Sequence, residues 1–314
     1  MAAGVAAPLL RRRLNLPKAA VLGAAAAGPA AAYVAFPKGR IRGTAVCVSQ
    51  MWAYLAAYEM PNDDPEALRS RVHVDYPIAI DRVIGIGKLP TQRLQAAFSK
   101  RDETSSVEKV LAWSHWLWFA VPHAAVAYTA LRRPERFPSA AARMYAVFDL
   151  GAVVYWAVPT APPWWAAAHG HVEPLDQRIE VGPFGRREDQ TDATLPLRRM
   201  MLEYGESFWG SRWNQLYDAL GGNPLAAMPS LHFATSMMAA RLLSEVGPVS
   251  GAIGWAYAGT LGVALVYLGE HYAIDVIAGA ALAETVNRGS RPLSPAARLL
   301  ARSLRAARAA ADGD

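Results

Sequence analysis

The stretch GEHYAID, residues 269–275, leads directly into an apolar run that continues to Val286. Within it His271 and Asp275 are four residues apart, a spacing that places both on one face of a helix. An ionisable pair at the start of a membrane helix is costly, so a functional role is the default hypothesis. The carboxylate can fix the tautomer of the imidazole and stabilise positive charge on it, which leaves the other ring nitrogen of His271 to attack a substrate.

A second histidine, His232, stands at the start of another apolar segment, in the run MPSLH at 228–232. Pro229 suits a helix start, and Ser230 can cap the helix or offer its hydroxyl to an anion. The free N–H groups and the dipole at a helix start favour a phosphate group. The two helix starts together predict a nucleophile, a proton donor and an anion site, which are the parts that phosphoryl transfer requires.

These motifs resemble the signatures of the type-2 phosphatidic acid phosphatase superfamily, which run roughly K-x6-R-P, then P-S-x-H, then S-R-x5-H-x3-D. The second signature is present as PSLH at 229–232, and the third is present only as its second half, His271-x3-Asp275. Ala264 and Leu265 occupy the S-R positions, and the first signature is not recognisable. The pattern resembles the branch that contains fungal inositol phosphorylceramide synthase and its bacterial, actinobacterial-type relatives.

The resemblance covers most of residues 108–288 and implies roles for the three motif residues. His271 would be the nucleophile, Asp275 would orient it, and His232 would act first as general acid and then as base. The alternative for the His271–Asp275 pair is a structural hydrogen bond between two spans. The alternative for Ser230 is a simple helix cap, which is compatible with binding phosphate oxygens.

The lysine and the two arginines of the superfamily are absent at their motif positions, so other cations must meet the charge of the transition state. The candidates are the basic residues expected on the outer side, namely Lys88, Arg93, Arg178, Arg186, Arg187, Arg198, Arg199 and Arg212. Arg212 is the nearest in sequence to Ser230. Asn223 and Glu270 are further candidates for contact with substrate, although Asn223 also suits a turn and Glu270 a cap at a helix start.

Six stretches approach the ~20 apolar residues that a bilayer span needs. They are 18–36, 110–131, 144–160, 226–243, 249–268 and 272–286. The sequence therefore predicts an all-α, six-transmembrane helical bundle with interfacial helices on the catalytic side. A membrane catalytic domain, 18–288, follows a basic cytoplasmic N-terminus, 1–17, and precedes a basic cytoplasmic tail, 289–314. The first stretch also fits a cleaved signal sequence, but its alanine run favours a permanent span.

The basic clusters set the predicted orientation, because cytoplasmic ends of spans are enriched in Lys and Arg. The clusters at 11–13, 132–136 and 288–308 all face the cytoplasm only if six crossings are present. The segment 44–58 is then an interfacial or re-entrant helix, and the nearby basic residues at 38–42 would face outward. This multi-pass arrangement in the cell membrane places both histidines on the extracytoplasmic side.

Two more predictions concern residues away from the histidines. Asp149 and Arg241 each lie about ten residues, or ~15 Å, from the outer ends of their spans, so we predict that they pair or share a polar cluster near the cytoplasmic half. The tail at 295–311 resembles a basic amphipathic helix on anionic lipid, with a solvated, frayed tail as the alternative.

Several other classes of partner find little support. The net charge is +6, but the arginines flank spans rather than forming a surface that reads nucleic acid. The single cysteine, Cys47, cannot form an internal disulfide. The run HGHVE at 169–173 could bind zinc, but it fits no strong signature, and the phosphohistidine route needs no metal. We therefore predict neither a metal nor a cofactor.

The predicted function is that of a membrane enzyme that acts on a lipid phosphate or phosphodiester through a phosphohistidine. Water as acceptor gives a lipid phosphatase, a hydrolase. An alcohol such as inositol, a sugar or a lipid hydroxyl gives a phosphotransferase. A different class, a non-catalytic protein that binds or transports lipid, is favoured by the missing cations and opposed by the retention of His232, His271 and Asp275.

Overall fold

Helices make up the regular structure of this chain. The computed structural model describes residues 2–99, 104–173, 196–210, 222–290 and 294–312. Within these ranges there are α- and 3-10 helices and no strand, which confirms the all-α class. In chain order the α-helices are α1 (Ala2–Leu10), α2 (Lys18–Ala35), α3 (Arg40–Glu59), α4 (Pro65–Arg69), α5 (Asp75–Ile84), α6 (Pro90–Phe98), α7 (Ser106–Leu117), α8 (Val121–Arg132), α9 (Phe137–Ala157), α10 (Pro163–Ala168), α11 (Met200–Trp209), α12 (Leu231–Val246), α13 (Pro248–Tyr267), α14 (Ala273–Gly289) and α15 (Ser294–Asp312).

Two of the described helices are long and apolar enough to cross a bilayer by themselves, α2 and α13. The count of six crossings therefore stays a prediction. The stretch predicted as one span at 110–131 is divided between α7 and α8. Pro122 stands in the first turn of α8, where its missing N–H is tolerated, and it cannot continue the preceding helix.

The centre of the bundle is formed by α8, α9, α12 and α14. Their buried apolar residues make one cluster that includes Phe148 and Tyr155 from α9 and Met238 and Leu242 from α12. Where the helices face one another, these side chains fill the space between them closely. The cluster fixes the relative positions of the helices that carry the candidate site.

The N-terminal helices form a hairpin against this centre. α3 is 20 residues long, about 30 Å, and packs along α2 and then against α9. Trp156 near the end of α9 donates to the carbonyl of Ala57, so α3 and α9 end at the same side of the bundle. The segment at 44–58 is thus part of a long helix that packs lengthwise against other long helices.

Ion pairs and packing contacts locate the basic clusters at 11–13 and 132–136 in the bundle. Arg11 binds Asp63 at 2.8 Å and Glu59 at 3.3 Å, at the end where α3 finishes. Gly43, near the start of α3, lies beside Phe137, which begins α9 at the opposite end. The cluster at 11–13 therefore lies at the end of the bundle opposite to 132–136, held there by acidic partners that charge counting alone does not reveal.

The predicted pair of Asp149 and Arg241 is wrong. Asp149 accepts hydrogen bonds from Gln50 of α3 at 2.9 and 3.1 Å. Arg241 instead forms an ion pair with Glu284 of α14. Equal depth did not make the two residues neighbours, because they face different helices.

Candidate active site

His271 and Asp275 meet at the start of α14. Gly269, with φ of +81°, ends the chain's path out of α13, and the helix begins only at Ala273. His271 Nδ1 lies 3.4 Å from Asp275 Oδ2, and the same oxygen accepts the backbone N–H of Tyr272 at 2.9 Å. Both side chains are buried, with 4% and 0% exposure. The pair therefore joins the turn before the helix, which carries His271, to the first turn of the helix, which carries Asp275.

His232 is the second residue of α12 and completes the arrangement. Its Nδ1 lies 3.1 Å from His271 Nε2. Ser230 caps the helix by accepting the N–H of Phe233 at 3.3 Å. The N–H of Ser230 also donates to the backbone carbonyl of Asp275 at 2.9 Å, so the two helix starts are joined directly. The structure thus brings together the four residues of the two sequence motifs.

The contacts assign chemical roles to the ring nitrogens. The carboxylate of Asp275 faces Nδ1 of His271, which places the proton on that nitrogen and leaves a lone pair on Nε2. His232 Nδ1 then carries the proton that is shared with this lone pair. A ring nitrogen with a lone pair and a ring N–H therefore face each other, and His232 is only half-buried.

Asp81, on α5, holds the start of α14 and was not found by sequence reasoning. Its fully buried carboxylate accepts the N–H groups of Ala273 and Ile274, both at 2.9 Å. Burial raises the pKa of Asp81 to about 6, against the lowering effect of these two backbone hydrogen bonds. The residue fixes the turn that carries His271, and its distance along the chain leaves no local pattern by which to find it.

The turn that precedes α12 is held from two sides. Tyr155 of α9 donates its hydroxyl proton to the carbonyl of Pro229 at 2.7 Å. The backbone of Thr160 accepts from Ala227 at 3.1 Å and donates to Leu225 at 2.8 Å. These bonds fix the run before Ser230 against the segment that follows α9.

A third histidine, His115 of α7, was also missed. Its ring stacks on that of His232 with centroids 4.7 Å apart. Trp118 lies on the His232 ring as well, at 4.2 Å, and its indole N–H is fixed by Thr235 Oγ1 at 2.8 Å. The plane of the His232 ring is therefore set by aromatic neighbours.

Arg199 is the candidate cation that lies beside the His271 turn. Its guanidinium stacks over Trp164 at 3.9 Å, and the N–H of Trp164 donates to Gly269 at 3.3 Å. Burial raises the pKa of Glu270. The charge of Arg199 and, to a smaller extent, the interaction with His271 act against this rise. Glu270 is therefore close enough to interact electrostatically with both Arg199 and His271.

Other residues that were predicted to contact substrate are bonded to neighbouring protein groups. Arg198 binds Glu203 and Ser99, and Arg93 donates to the carbonyl of Ile86 at 2.9 Å. Asn223 accepts the N–H of Leu225 at 3.1 Å, the bond of a turn residue. Four of the arginines lie outside the described residues, namely Arg178, Arg186, Arg187 and Arg212.

The two histidines of the run at 169–173 make aromatic contacts. His169 and His171 both stack on Trp165, at 3.7 and 6.1 Å between ring centroids. In the described ranges no group of three or more His, Cys, Asp or Glu side chains is arranged to hold a metal ion.

Comparison with known proteins agrees with the family that the motifs resemble. The model of the PAP2 superfamily matches residues 79–286. The inositol phosphorylceramide synthase of Candida albicans is 28% identical over 189 residues, which cover 58% of this chain and 36% of that protein. The catalytic subunit aur1 of the synthase of Schizosaccharomyces pombe is 27% identical over 192 residues, 57% of this chain and 39% of that protein. The match thus spans well under half the length of these curated relatives, and no solved structure matches the chain.

Proposed function

Because the chain belongs to the PAP2 superfamily, we propose that it is an integral-membrane enzyme that transfers a phosphorus-bearing group from a lipid through a phosphohistidine. The observation that carries this proposal is the line of side chains in which Asp275 faces His271 and His271 faces His232. An orienting carboxylate, a nucleophile and a proton donor in sequence are the parts that such covalent catalysis uses.

In the first half of the reaction, Nε2 of His271 attacks the phosphorus atom of the lipid. The new N–P bond forms as the P–O bond to the lipid breaks, and the electron pair of that bond goes to the leaving oxygen. His232, in its imidazolium form, delivers its Nδ1 proton to this oxygen and becomes neutral, so a lipid alcohol leaves. Asp275 stabilises the positive charge that develops on the imidazole of His271.

In the second half, the acceptor hydroxyl gives its proton to His232 and attacks the phosphorus. The N–P bond breaks, its electron pair returns to His271 Nε2, and both histidines regain their starting forms. Water as acceptor completes a hydrolysis, and an alcohol completes a transfer. The names of the two relatives support an inositol phosphoryl group as the transferred unit and a lipid alcohol as its acceptor.

The negative charge of the transferred group needs stabilisation where the superfamily's usual cations are missing. The start of α12, capped by Ser230, offers backbone N–H groups and a favourable dipole. Arg199 is one candidate cation, since its charge lowers the pKa of Glu270, the residue next to His271. Arg212 stays a candidate from the sequence alone. We place the reaction at the extracytoplasmic face of the cell membrane.

Purified protein in detergent, given phosphatidylinositol labelled in its inositol, separates the outcomes. With ceramide present, we expect a labelled inositol phosphorylceramide, and without it a slower release of inositol phosphate. His271→Ala and His232→Ala should each lower product formation about a thousandfold, because each removes one partner of a unit. His169→Ala, an exposed histidine, is the matched control.

A lipid-binding or transport protein without catalysis is the competing function. It would show no product from phosphatidylinositol or from phosphatidic acid, although the protein is folded. The buried, mutually oriented His271 and Asp275 speak against it, because an ionisable pair at a membrane helix is costly to keep without a role.

A further inference from the structure

His115 contributes a polar ring where a purely packing role would not need one. Both of its ring nitrogens are buried and have no hydrogen-bond partner within the described part of the chain. Its ring stacks on His232 at an interplanar angle of 29°. A phenylalanine would supply the same stack without burying two polar atoms. Because buried polar groups are almost always hydrogen-bonded in native proteins, unpaired nitrogens beside a catalytic group indicate a missing partner.

The depth of His115 indicates what kind of partner can reach it. Glu108, seven residues earlier on α7, accepts the hydroxyl of Tyr267 at the last residue of α13. Seven residues of helix correspond to about 10 Å, so His115 lies that far below the end of the bundle on which the site opens. A group that bonds to it must therefore reach well below that surface.

The outer face of α7 at this depth is apolar. Val110, Trp113 and Leu117 are 60%, 40% and 48% exposed and follow one another at helical spacing. Such a face suits contact with lipid chains rather than with water. A hydroxyl that arrives beside His115 therefore belongs to a molecule with a long apolar part.

We propose that His115 binds the hydroxyl oxygen of a lipid alcohol next to His232. This inference rests on the proposed function and defines its lipid-alcohol subsite. One ring N–H of His115 donates to the oxygen, and the hydroxyl proton is left directed at His232. On attack that proton passes to His232 while the oxygen bonds to phosphorus and the N–P bond of His271 breaks. When the transfer runs backwards, the same subsite holds this lipid alcohol as it leaves.

Binding can be measured without any reaction. A photoreactive ceramide is titrated against purified protein in detergent with no phosphate donor, and the fraction of protein cross-linked is followed. We expect His115→Phe, which keeps the stack and removes both nitrogens, to raise the half-saturating concentration about tenfold, as loss of one hydrogen bond to a bound ligand predicts. His115→Gln, which keeps a donor, should restore part of the affinity.

His123→Phe is the matched control, because His123 of α8 stacks on Phe148 rather than on His232. It should bind ceramide as the natural protein does. Thermal unfolding in the same detergent compares the folding of all three variants.

A second measurement separates this inference from the function on which it rests. Labelling of His271 by donor lipid should stay within about threefold in His115→Phe, because donor attack uses His271 and His232. Unchanged ceramide binding in His115→Phe would overturn the inference. Equal loss of ceramide binding and of His271 labelling would also overturn it, since His115 would then only support His232. Absence of His271 labelling in the natural protein would instead reject the proposed function, and the ceramide titration would still judge His115.

Discussion

The tautomer of His271 depends on a single carboxylate. Asp275 Oδ2 faces Nδ1 of the ring, while its Oδ1 has no partner among the described residues. An asparagine could present its N–H₂ group to the ring instead and favour the opposite tautomer, with the proton on the attacking nitrogen. The chemistry is therefore more sensitive to this substitution than the fold is.

We expect Asp275→Asn to lower the rate of headgroup transfer by about three to four orders of magnitude, as loss of the orienting carboxylate does in comparable catalytic units. Transfer from labelled phosphatidylinositol measures the effect. Asp75→Asn, an exposed carboxylate on α5, should leave the rate unchanged. If the Asp275→Asn protein kept more than a tenth of the natural rate, the His271–Asp275 pair would be structural.

Asp81 predicts how stability depends on pH. Burial raises its pKa to about 6 from an ordinary value of 3.8, so the folded protein binds more protons than the unfolded chain between these values. Stability from this group is therefore complete below pH ~4 and is lost as the pH rises to about 6. Thermal unfolding from pH 4 to 7 should show this loss in the natural protein and a smaller loss in Asp81→Asn, which lacks this titrating carboxyl. Asp75→Asn should keep the natural pH dependence, and a flat natural profile would contradict the account.

At the scale of elements, the distance between α12 and α14 decides whether the two histidines meet. A Cβ atom placed on Gly279 of α14 would lie 2.5 Å from the carbonyl oxygen of Ser230. Real Cβ contacts are never that short, so only glycine permits this approach. The close crossing lets the N–H of Ser230 reach the carbonyl of Asp275.

Gly279→Ala should push the two helix starts apart and lower the transfer rate at least tenfold, with a lower melting temperature. Gly259→Ala on α13 is the matched control, because a Cβ there meets nothing within 4 Å. It should leave activity unchanged and slightly raise stability, since alanine favours helix more than glycine does. Equal activity in both variants would show that the His232–His271 distance tolerates helix displacement.

The sequence predicts the motif residues of the site better than the residues that hold them in place. His232, His271 and Asp275 belong to short motifs at helix starts, so their meeting could be predicted. Asp81 and His115 contact these motifs across the fold, and no local spacing announces such contacts. The Asp149–Arg241 pair failed for a related reason, because depth along a helix does not determine which neighbour a side chain faces.

At the scale of the whole molecule, the ends of the bundle differ in charge. Arg11 is paired with Glu59 and Asp63 at the end where α3 finishes. Tyr58, at that end, donates to the carbonyl of Asn223, which leads into the Ser230 motif. Arg308 of α15 binds the carbonyl of Phe36 at the far end of α2. We therefore propose that α2 and α3 cross the membrane as a hairpin, one crossing more than the six that the sequence predicts, and that the segment at 11–13 lies on the same side as the site.

This arrangement predicts opposite accessibility for single cysteines in a Cys47→Ala background. Leu14→Cys and His169→Cys should react with an impermeant thiol reagent in intact cells, because both are exposed at the end that carries the site. Glu135→Cys and Ser303→Cys should react only after the membrane is opened, since the basic residues around them favour the cytoplasm. Reaction of Leu14→Cys only in opened cells would instead support a cytoplasmic N-terminus and an interfacial α3.

The most direct test of the central claim is to trap the covalent intermediate. Purified protein is mixed with phosphatidic acid labelled in its phosphate, stopped in alkali, and digested for mass spectrometry of the peptide that contains His271. The account predicts a phosphorylated His271 and no such label in His271→Ala. In His232→Ala, label on His271 should accumulate only to the extent that the first half-reaction still proceeds. Label on another residue, or turnover of the lipid without any label on His271, would contradict it.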